Sequence, residues 1–153
     1  MHKVSVRETE DLNRLRDYLE GRTVVLDQVS LNKHRHSIDI PVTVIEKGGC
    51  VARDFLLIKK WEHRVVSACL YIYNAQTCGI VDDEKKGAGT INSISYKNDI
   101  ITIGFVEEIT IKVTVSNLFM ELSITENQAG REAYYARKCR WPVGSVDQTG
   151  GER

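Results

Sequence analysis

Two groups of side chains in this sequence have the types and spacing that chemistry requires, and the first is a pair of histidines. His34 and His36 are separated by one residue, which on a strand places both imidazoles on one side. His63 or a cysteine would supply a third ligand to a metal ion. Lys33 and Arg35 alternate with the histidines, and their charge opposes the approach of a cation. Since a metal site needs three or four convergent ligands, the pattern is more typical of a solvated basic turn.

The second group is a basic and aromatic segment at residues 131–141. Cations that bind phosphates and rings that stack on bases are the ingredients of single-strand nucleic-acid binding. The same composition is typical of a segment whose rings pack on a sheet while its arginines stay in water, or of a surface that binds another protein. The candidate partner-binding residues are Arg131, Tyr134, Tyr135, Arg137, Lys138, Arg140 and Trp141.

The cysteines suggest reduced thiols rather than a disulfide framework or a zinc site. No two have the C-x-x-C spacing, and a chain of 153 residues with a good core does not need disulfides. Residues 74–76 predict a hairpin loop that brings Cys69 and Cys78 face to face as small buried side chains. A thiol nucleophile would also need a histidine base, which the sequence does not place. The four cysteines are Cys50, Cys69, Cys78 and Cys139.

Neither the carboxylates nor the glycines form a catalytic pattern. Glu107 and Glu108 are predicted to begin a strand, and nothing near them would separate two carboxyl pKa values as acid–base catalysis requires. Gly87 and Gly89 lack the rest of a phosphate-binding loop. We therefore predict no catalytic residue and no cofactor, which favours a protein that is not an enzyme.

The composition is that of an ordinary globular chain. The 21 basic and 21 acidic residues balance, so the molecule has no net field that would gather nucleic acid or bind an anionic membrane. The first residues lack the apolar core of a signal peptide, and no run approaches the roughly 20 apolar residues of a membrane span. The sequence predicts a soluble cytoplasmic protein that does not bind a membrane.

The elements that would position these groups are mainly β-strands, and the stretch 89–126 specifies them most strongly. Apolar side chains recur there at every second position, and residues 97–99 suit a short hairpin loop. Each of three sets should share a buried face: Ile101, Ile103 and Phe105; Ile109, Ile111, Val113 and Val115; and Met120, Leu122 and Ile124.

A helix over residues 9–20 is predicted before the strands. Thr9 offers an N-cap hydroxyl, and Gly21 is a natural C-terminal stop. The apolar stripe that should pack on the sheet consists of Leu12, Leu15, Tyr18 and Leu19, while Arg14, Arg16 and Asp17 should face away.

Period-two patterns continue over residues 23–46. The first run alternates at Val25, Val29 and Leu31, although Asp27 interrupts that face. The second run contains Pro41, which predicts a sheet edge or a bulge. Its alternating apolar residues are Ile38, Ile40, Val42 and Val44.

Residues 47–49 suggest a turn, followed by strands over 50–60 and 65–73 that residues 61–64 would join. The strand at 65–73 is the candidate centre of a sheet, because both of its faces carry large or apolar side chains. A short helix is predicted over 128–140, and residues 141–153 read as a flexible tail.

These elements predict one β-rich domain over residues 1–140. Its fold class is an antiparallel meander that forms a sandwich or an up-and-down barrel of about eight strands, with the N-terminal helix packed on it. Pro41 and lysines near strand ends resemble edge protection, which favours a monomer, whereas one unprotected edge would give a homodimer.

Because no catalytic pattern is present, the sequence favours a small interaction module that binds another protein. An inhibitor or a toxin-neutralising immunity-type protein is one concrete form. The first alternative is a β-barrel that binds a small ligand, which an interior filled by Ile, Val and Leu would oppose. The second is a module that binds single-stranded nucleic acid through residues 131–141.

Overall fold

The computed structural model describes the backbone of residues 2–54 and 58–137, and their side chains except those of 47–54, 58–62, 126–128 and 131–137. The chain is mainly β, with antiparallel sheets and a helical segment near the N-terminus, which confirms the predicted fold class. It divides into two compact units, one formed by Met1–Val44 with Ser67–Glu126 and the other by Ile45–Val66 with Asn127–Arg153. The single domain over 1–140 stays a prediction.

Ten strands form in the described part of the chain, where about eight were predicted. The first five are β1 (His2–Val6), β2 (Thr23–Val25), β3 (Ser30–Asn32), β4 (Ser37–Asp54) and β5 (Ile58–Ile72). The others are β6 (Ala75–Val81), β7 (Ala88–Lys97), β8 (Ile100–Phe105), β9 (Thr110–Val115) and β10 (Met120–Arg137). One five-stranded sheet has the order β1-β10-β5-β4-β3, and the other has the order β2-β7-β8-β9-β6.

The predicted helix is confirmed, with a different cap. A 3-10 turn at Thr9–Asp11 leads into helix α1 (Leu12–Leu19), and Gly21 follows at φ +84°. The N-cap is Glu8 rather than Thr9, because the Asp11 carboxylate accepts a hydrogen bond from the Glu8 backbone N–H at 3.2 Å. The side chains that α1 buries are Leu12, Leu15 and Leu19. Arg16 does not face away as predicted, since its Nε donates to the Ile94 carbonyl of β7 at 3.0 Å.

The stretch 89–126 follows the predicted period, but only β7, β8 and β9 form a meander, since β10 belongs to the other sheet. All ten side chains of the three alternating sets are buried. Antiparallel pairing joins β7 to β8 and β8 to β9. Asn98 and Asp99 have φ +53° and +62°, the left-handed pair of a type I′ turn, whose twist matches that of the strands it joins.

The run 23–31 departs from its prediction. It forms β2, a 3-10 turn at Leu26–Gln28 and then β3, so the interruption at Asp27 ends one strand and precedes another. Val24 is buried, whereas Val25 and Leu31 are exposed, so the predicted register of this run was wrong. A period of two assigns faces only while a strand continues without interruption.

Strand β4 has a free flank at Pro41. Strand β3 pairs with β4 only at Ser37–Asp39, so Pro41 lies beyond the end of β3, as its missing N–H predicts. Arg22 lies along this flank, where its Nε donates to the Thr43 carbonyl at 2.8 Å and its terminal nitrogen donates to Thr43 Oγ1 at 3.0 Å. The Arg22 side chain therefore bonds to the part of β4 that β3 does not reach.

Three local predictions were wrong because strands run on where breaks were expected. Residues 47–49 lie within β4 and residues 61–64 within β5, so the predicted turn and connector are both strand. The predicted helix at 128–140 is strand β10 as far as Arg137. The predicted centre is confirmed, because β5 is the third of five strands in its sheet. The predicted tail at 141–153 lies outside the described residues.

The smaller unit contains residues 45–54 of β4, 58–66 of β5 and 127–137 of β10. The Arg64 guanidinium forms an ion pair with Glu46 at 2.8 Å, and each of these side chains is about one third exposed. Val65 and Val66, the next two residues along β5, are buried. This ion pair joins the neighbouring strands β4 and β5.

Glu107 lies in the turn between β8 and β9, not at the start of a strand as predicted. Its Oε1 accepts a hydrogen bond from the Thr90 backbone N–H at 2.7 Å, and its Oε2 accepts one from Thr90 Oγ1 at 2.9 Å. These bonds, the backbone one first, hold the pKa of Glu107 below its ordinary value of 4.5. The carboxylate thereby ties this turn to β7.

Glu107→Gln should therefore cost stability in a pH-dependent way. A depressed folded-state pKa contributes stability above pH 4.5, and that stability is lost as the pH falls through the folded-state value. The urea midpoint of the variant should lie below that of the wild type at pH 7 and come closer to it at an acidic pH below 4.5. The control Glu108→Gln removes the same charge from an exposed neighbour and should change stability by less than about 0.5 kcal/mol. A wild-type advantage over Glu107→Gln that is equal at both pH values would contradict this account.

Candidate functional site

A row of three aromatic rings with an arginine at each end lies within the larger unit, and we call it the aromatic row. Phe119 and Tyr73 stack at 4.7 Å between ring centroids, and Tyr73 and Tyr71 stack at 6.0 Å. The Arg7 guanidinium lies over Phe119, 4.1 Å from its centroid, and the Arg35 guanidinium lies 5.6 Å from the centroid of Tyr71. Both are cation–π contacts. The three rings are half-buried, and the two arginines are exposed.

The end of β5 positions the two tyrosines. Alternation along this central strand buries Leu70 and Ile72 completely and leaves Tyr71 and Tyr73 on the opposite face. Residues two apart on one strand face lie roughly 6–7 Å from each other, which agrees with the spacing of the two rings. The buried leucine and isoleucine thus anchor the strand that presents the rings.

Phe119 and Arg7 are positioned by separate backbone contacts. The Tyr73 N–H donates to the Phe119 carbonyl at 2.9 Å, which holds the two residues next to each other. The Arg7 N–H donates to Asp11 Oδ2 at 3.1 Å, so the first turn of the helical segment fixes the residue that follows β1. One end of the row is therefore built by β1 and the residues before α1.

The turn between β3 and β4 positions Arg35 at the other end. Asn32 Oδ1 accepts hydrogen bonds from the backbone N–H groups of His34 and Arg35, at 3.1 and 3.2 Å. Such a side-chain bond stabilises a tight turn. Among the side chains that the structure describes, no carboxylate pairs with either guanidinium of the row.

Two carboxylates near the row already have partners. Asp39 Oδ1 accepts a hydrogen bond from Ser37 Oγ at 2.7 Å, and Glu121 forms an ion pair with Lys3 at 3.7 Å. Their charge reaches the row: after burial, which is the largest cause, Glu121 contributes to raising the pKa of Tyr73 and Asp39 to raising that of Tyr71. The surface is therefore of mixed charge rather than uniformly basic.

The protonation of the row is settled at neutral pH. Burial is the main cause that raises the pKa of Tyr71 and Tyr73 above the ordinary value of 10.0, so both hydroxyls stay neutral. Burial, followed in the same direction by the charge of Asp39, raises the pKa of Cys69 above 9.0. A protonated thiol is a poor nucleophile, so Cys69 suits packing better than covalent catalysis.

The orientation of the rings determines what they can bind. Neighbouring rings are inclined by only 21° and 26°, and the guanidinium of Arg7 covers a face of Phe119. The faces of the rings are therefore turned toward one another along the row. A base would need a free face on which to stack, whereas a protein surface can pack on ring edges and pair with the terminal arginines.

The two histidines that were considered as metal ligands lie in a turn, not on a strand. His34 and His36 occupy the exposed turn at residues 33–36, and His36 has φ +52°. The alternation that would place their imidazoles on one side does not apply to a turn. Within the part of the chain that the structure describes, no three His, Cys, Asp or Glu side chains come together as a metal site would require.

The predicted basic and aromatic segment remains a prediction. The backbone at Arg131, Tyr134, Tyr135 and Arg137 belongs to β10, but their side chains are not among those described. The other three residues, Lys138, Arg140 and Trp141, lie outside the described residues.

The cysteine hairpin was predicted wrongly. Cys69 lies on β5 in one sheet and Cys78 on β6 in the other, where β6 pairs with β9, so the two do not oppose each other across adjacent strands. Cys69 is half-buried, and Cys78 is exposed rather than buried; both are free thiols. Position 50 has no described side chain, and position 139 lies outside the described residues.

The sequence contained a partial signal of the aromatic row. Tyr71 and Tyr73 alternate with apolar residues on the strand predicted to be central, which places both rings on one face, opposite that of Leu70 and Ile72. Arg7, Arg35 and Phe119 carried no such signal, because each comes from another part of the chain. Only the pairing of β5 with its neighbours and the connections at its end bring them together.

Comparison of the chain with protein-family models, with curated proteins and with solved structures gave no match. Among the described residues, none of the helical segments has the length and apolar character needed to cross a bilayer.

Proposed function

We propose that this chain is a non-enzymatic interaction module that binds another protein through the aromatic row. An inhibitor or a toxin-neutralising immunity-type protein is the form that we favour. The observation that carries the proposal is the continuous stack from Arg7 through Phe119, Tyr73 and Tyr71 to Arg35. Tyrosine and arginine are enriched among the residues that dominate binding at protein interfaces.

The partner should present acidic side chains around an apolar centre. Half-buried rings lose little conformational entropy when a partner covers them, because strand and stacking contacts already fix them. The exposed guanidiniums of Arg7 and Arg35 would each gain a carboxylate. Asp39 and Glu121, which already have partners, would disfavour a uniformly negative ligand.

Nucleic acid is less well supported than a protein partner. The ring faces are occupied within the row, so bases have no platform there. The whole chain has no net charge, which removes the long-range attraction that phosphates provide. The segment 131–141 remains the place where nucleic acid would bind if the proposal fails.

The interior of the larger unit weighs against a barrel that holds a small ligand. Its largest fully buried side chains are all leucine, isoleucine or methionine. Side chains of this kind fill a core at close packing instead of lining a ligand cavity. For the location we propose the cytoplasm, and the free thiols of Cys69 and Cys78 support this.

The test compares how much partner protein the wild type and two double variants recover from the native cells. The full chain, tagged at its N-terminus, is recovered at moderate salt with and without nuclease, as wild type and as Arg7→Ala/Arg35→Ala. We expect one nuclease-resistant protein partner with the wild type and at least a roughly tenfold loss with the variant, because interface arginines often contribute more than 1 kcal/mol each. Mass spectrometry identifies the partner, and circular dichroism confirms that the variant folds.

The matched control is Arg14→Ala/Lys112→Ala, which removes two exposed positive charges away from the row. It should recover the partner as the wild type does. Tyr71→Ala, which removes a ring of the row, should lose the partner, and Tyr96→Ala is its control. Tyr96 is a half-buried tyrosine on β7 of the other sheet, so its variant should recover the partner as the wild type does. Equal loss with the control variants, or recovery of RNA or DNA that nuclease or Arg137→Ala/Lys138→Ala/Arg140→Ala removes, would overturn the proposal.

A further inference from the structure

One edge of the second sheet lacks the protection that the other sheet edges have. Strands β1, β3, β2 and β6 form the edges of the two sheets. Strands β2 and β3 are three residues long, and β1 carries Lys3, whose side chain is 54% exposed. Short strands and lysines are two devices that prevent sheets from pairing at their edges.

Strand β6 has neither device. Its seven residues, AQTCGIV, include no charged residue and no proline, and six of them, 76–81, are exposed. It pairs with β9 on one flank, and beyond a bulge between Ala75 and Thr77 the register is regular. The Ala75 N–H donates to the His36 carbonyl at 3.0 Å. Beyond it, the other flank presents backbone N–H and C=O groups that no neighbouring strand pairs with in the described sheet.

The side chains of β6 are also incompletely covered on the core side of the sheet. Cys78 and Ile80 stand opposite Val113 and Ile111 of β9, so they point to the same face as these two fully buried residues. Ile80 nevertheless remains 41% exposed, and Val81, on the other face, is 49% exposed. A strand added beyond β6 would continue the sheet and shield both side chains from water.

We infer that β6 pairs antiparallel with β6 of a second copy of this chain, with the two Cys78 residues opposite each other at the midpoint. The segment is suited to its own copy, because an uncharged strand can pair with itself without placing like charges opposite each other. A two-fold axis through the pair closes the assembly at two copies. The five-stranded sheet thereby becomes a continuous sheet across the dimer.

Sedimentation of the full chain over a roughly hundredfold range of protein concentration tests this pairing. The wild type should pass from 17.3 kDa to twice that mass, and Ile80→Lys should stay at 17.3 kDa because it places a charge on the shared edge. The control Val106→Lys changes another exposed apolar side chain, in the turn between β8 and β9, and should dimerise as the wild type does. Thermal unfolding of the three proteins confirms that each is folded.

Disulfide trapping tests the register. In a variant that keeps Cys78 and replaces the other three cysteines by serine, diamide should oxidise the two opposed thiols to one disulfide, since opposed Cα atoms lie about 4.5–5.5 Å apart. The variant that keeps only Cys69 should not cross-link. A wild type that stays monomeric, an Ile80→Lys protein that still dimerises, or a dimer whose Cys78 thiols do not cross-link would overturn the inference.

Discussion

Leu70→Ala should lower the free energy of unfolding by about 2–5 kcal/mol, the usual cost of removing a fully buried leucine side chain. Leu70 is 0% exposed and lies on β5, the third of five strands in its sheet. Neighbours on a central strand cannot collapse easily into the space, because paired strands hold them on both flanks. Since small domains are stable by about 5–15 kcal/mol, this loss is a large fraction of the total. Urea unfolding followed by circular dichroism measures it.

The same substitution at Leu31 is the matched control. Leu31 lies on the short edge strand β3 and is 56% exposed, so Leu31→Ala should change stability by less than about 0.5 kcal/mol. A comparable loss from the two variants would mean that β5 is not the centre of the core.

Arg22→Ala should cost about 2–3 kcal/mol, although a surface arginine usually contributes little. Arg22 is only 7% exposed, and its guanidinium donates to both the carbonyl and the Oγ1 of Thr43. Hydrogen bonds from a charged donor are stronger than neutral ones, and removing the donor leaves the Thr43 carbonyl without this partner. Urea unfolding at neutral pH measures the change.

Arg22→Lys and Arg14→Ala separate the causes of this loss. Lysine keeps the charge but lacks the planar fork that reaches two acceptors, so Arg22→Lys should recover only part of the stability. Arg14 is exposed on α1, and Arg14→Ala should have an effect of less than about 0.5 kcal/mol. Full recovery by lysine would show that charge alone, and not the paired hydrogen bonds to β4, stabilises this flank.

The alternating apolar sets were predictable because a period of two is a local property. Ile101, Ile111 and Leu122 belong to alternating sets without interruption, and every apolar member of those sets is buried. The run 23–31 failed because a 3-10 turn at Leu26–Gln28 breaks the alternation. Local pattern thus predicts a face wherever the strand itself is continuous.

The strand ends were harder to predict, since they depend on tertiary pairing. The residues at 128–137 include three alanines, two arginines and a glutamate, which favour helices, yet they belong to β10, a neighbour of β5 in the first sheet. Residues 47–49 contain two glycines and a lysine, which suggest a turn, yet they continue β4. In both places a neighbouring strand outweighs the intrinsic preference of the segment.

The candidate site shows the same contrast between what a local pattern predicts and what depends on tertiary pairing. Tyr71 and Tyr73 could be assigned to the same strand face from their spacing, but the contact of Phe119 with Tyr73 and that of Arg35 with Tyr71 join distant parts of the chain. No pattern of local residue types specifies such contacts. They follow from the order of strands in the first sheet and from the turns at its ends.

The pairing of β1 with β10 has a consequence for synthesis on the ribosome. His2 pairs with Ile124 and Val6 with Met120, so β1 has its partner only after nearly all of the described chain has been made. Strands β7 and β8 each pair with the strand that follows them, so β7, β8 and β9 can form as they emerge. Closing the long loop between β1 and β10 is entropically costly, and contacts of such separation slow folding. The nascent chain therefore assembles its meander early and adds its first strand late.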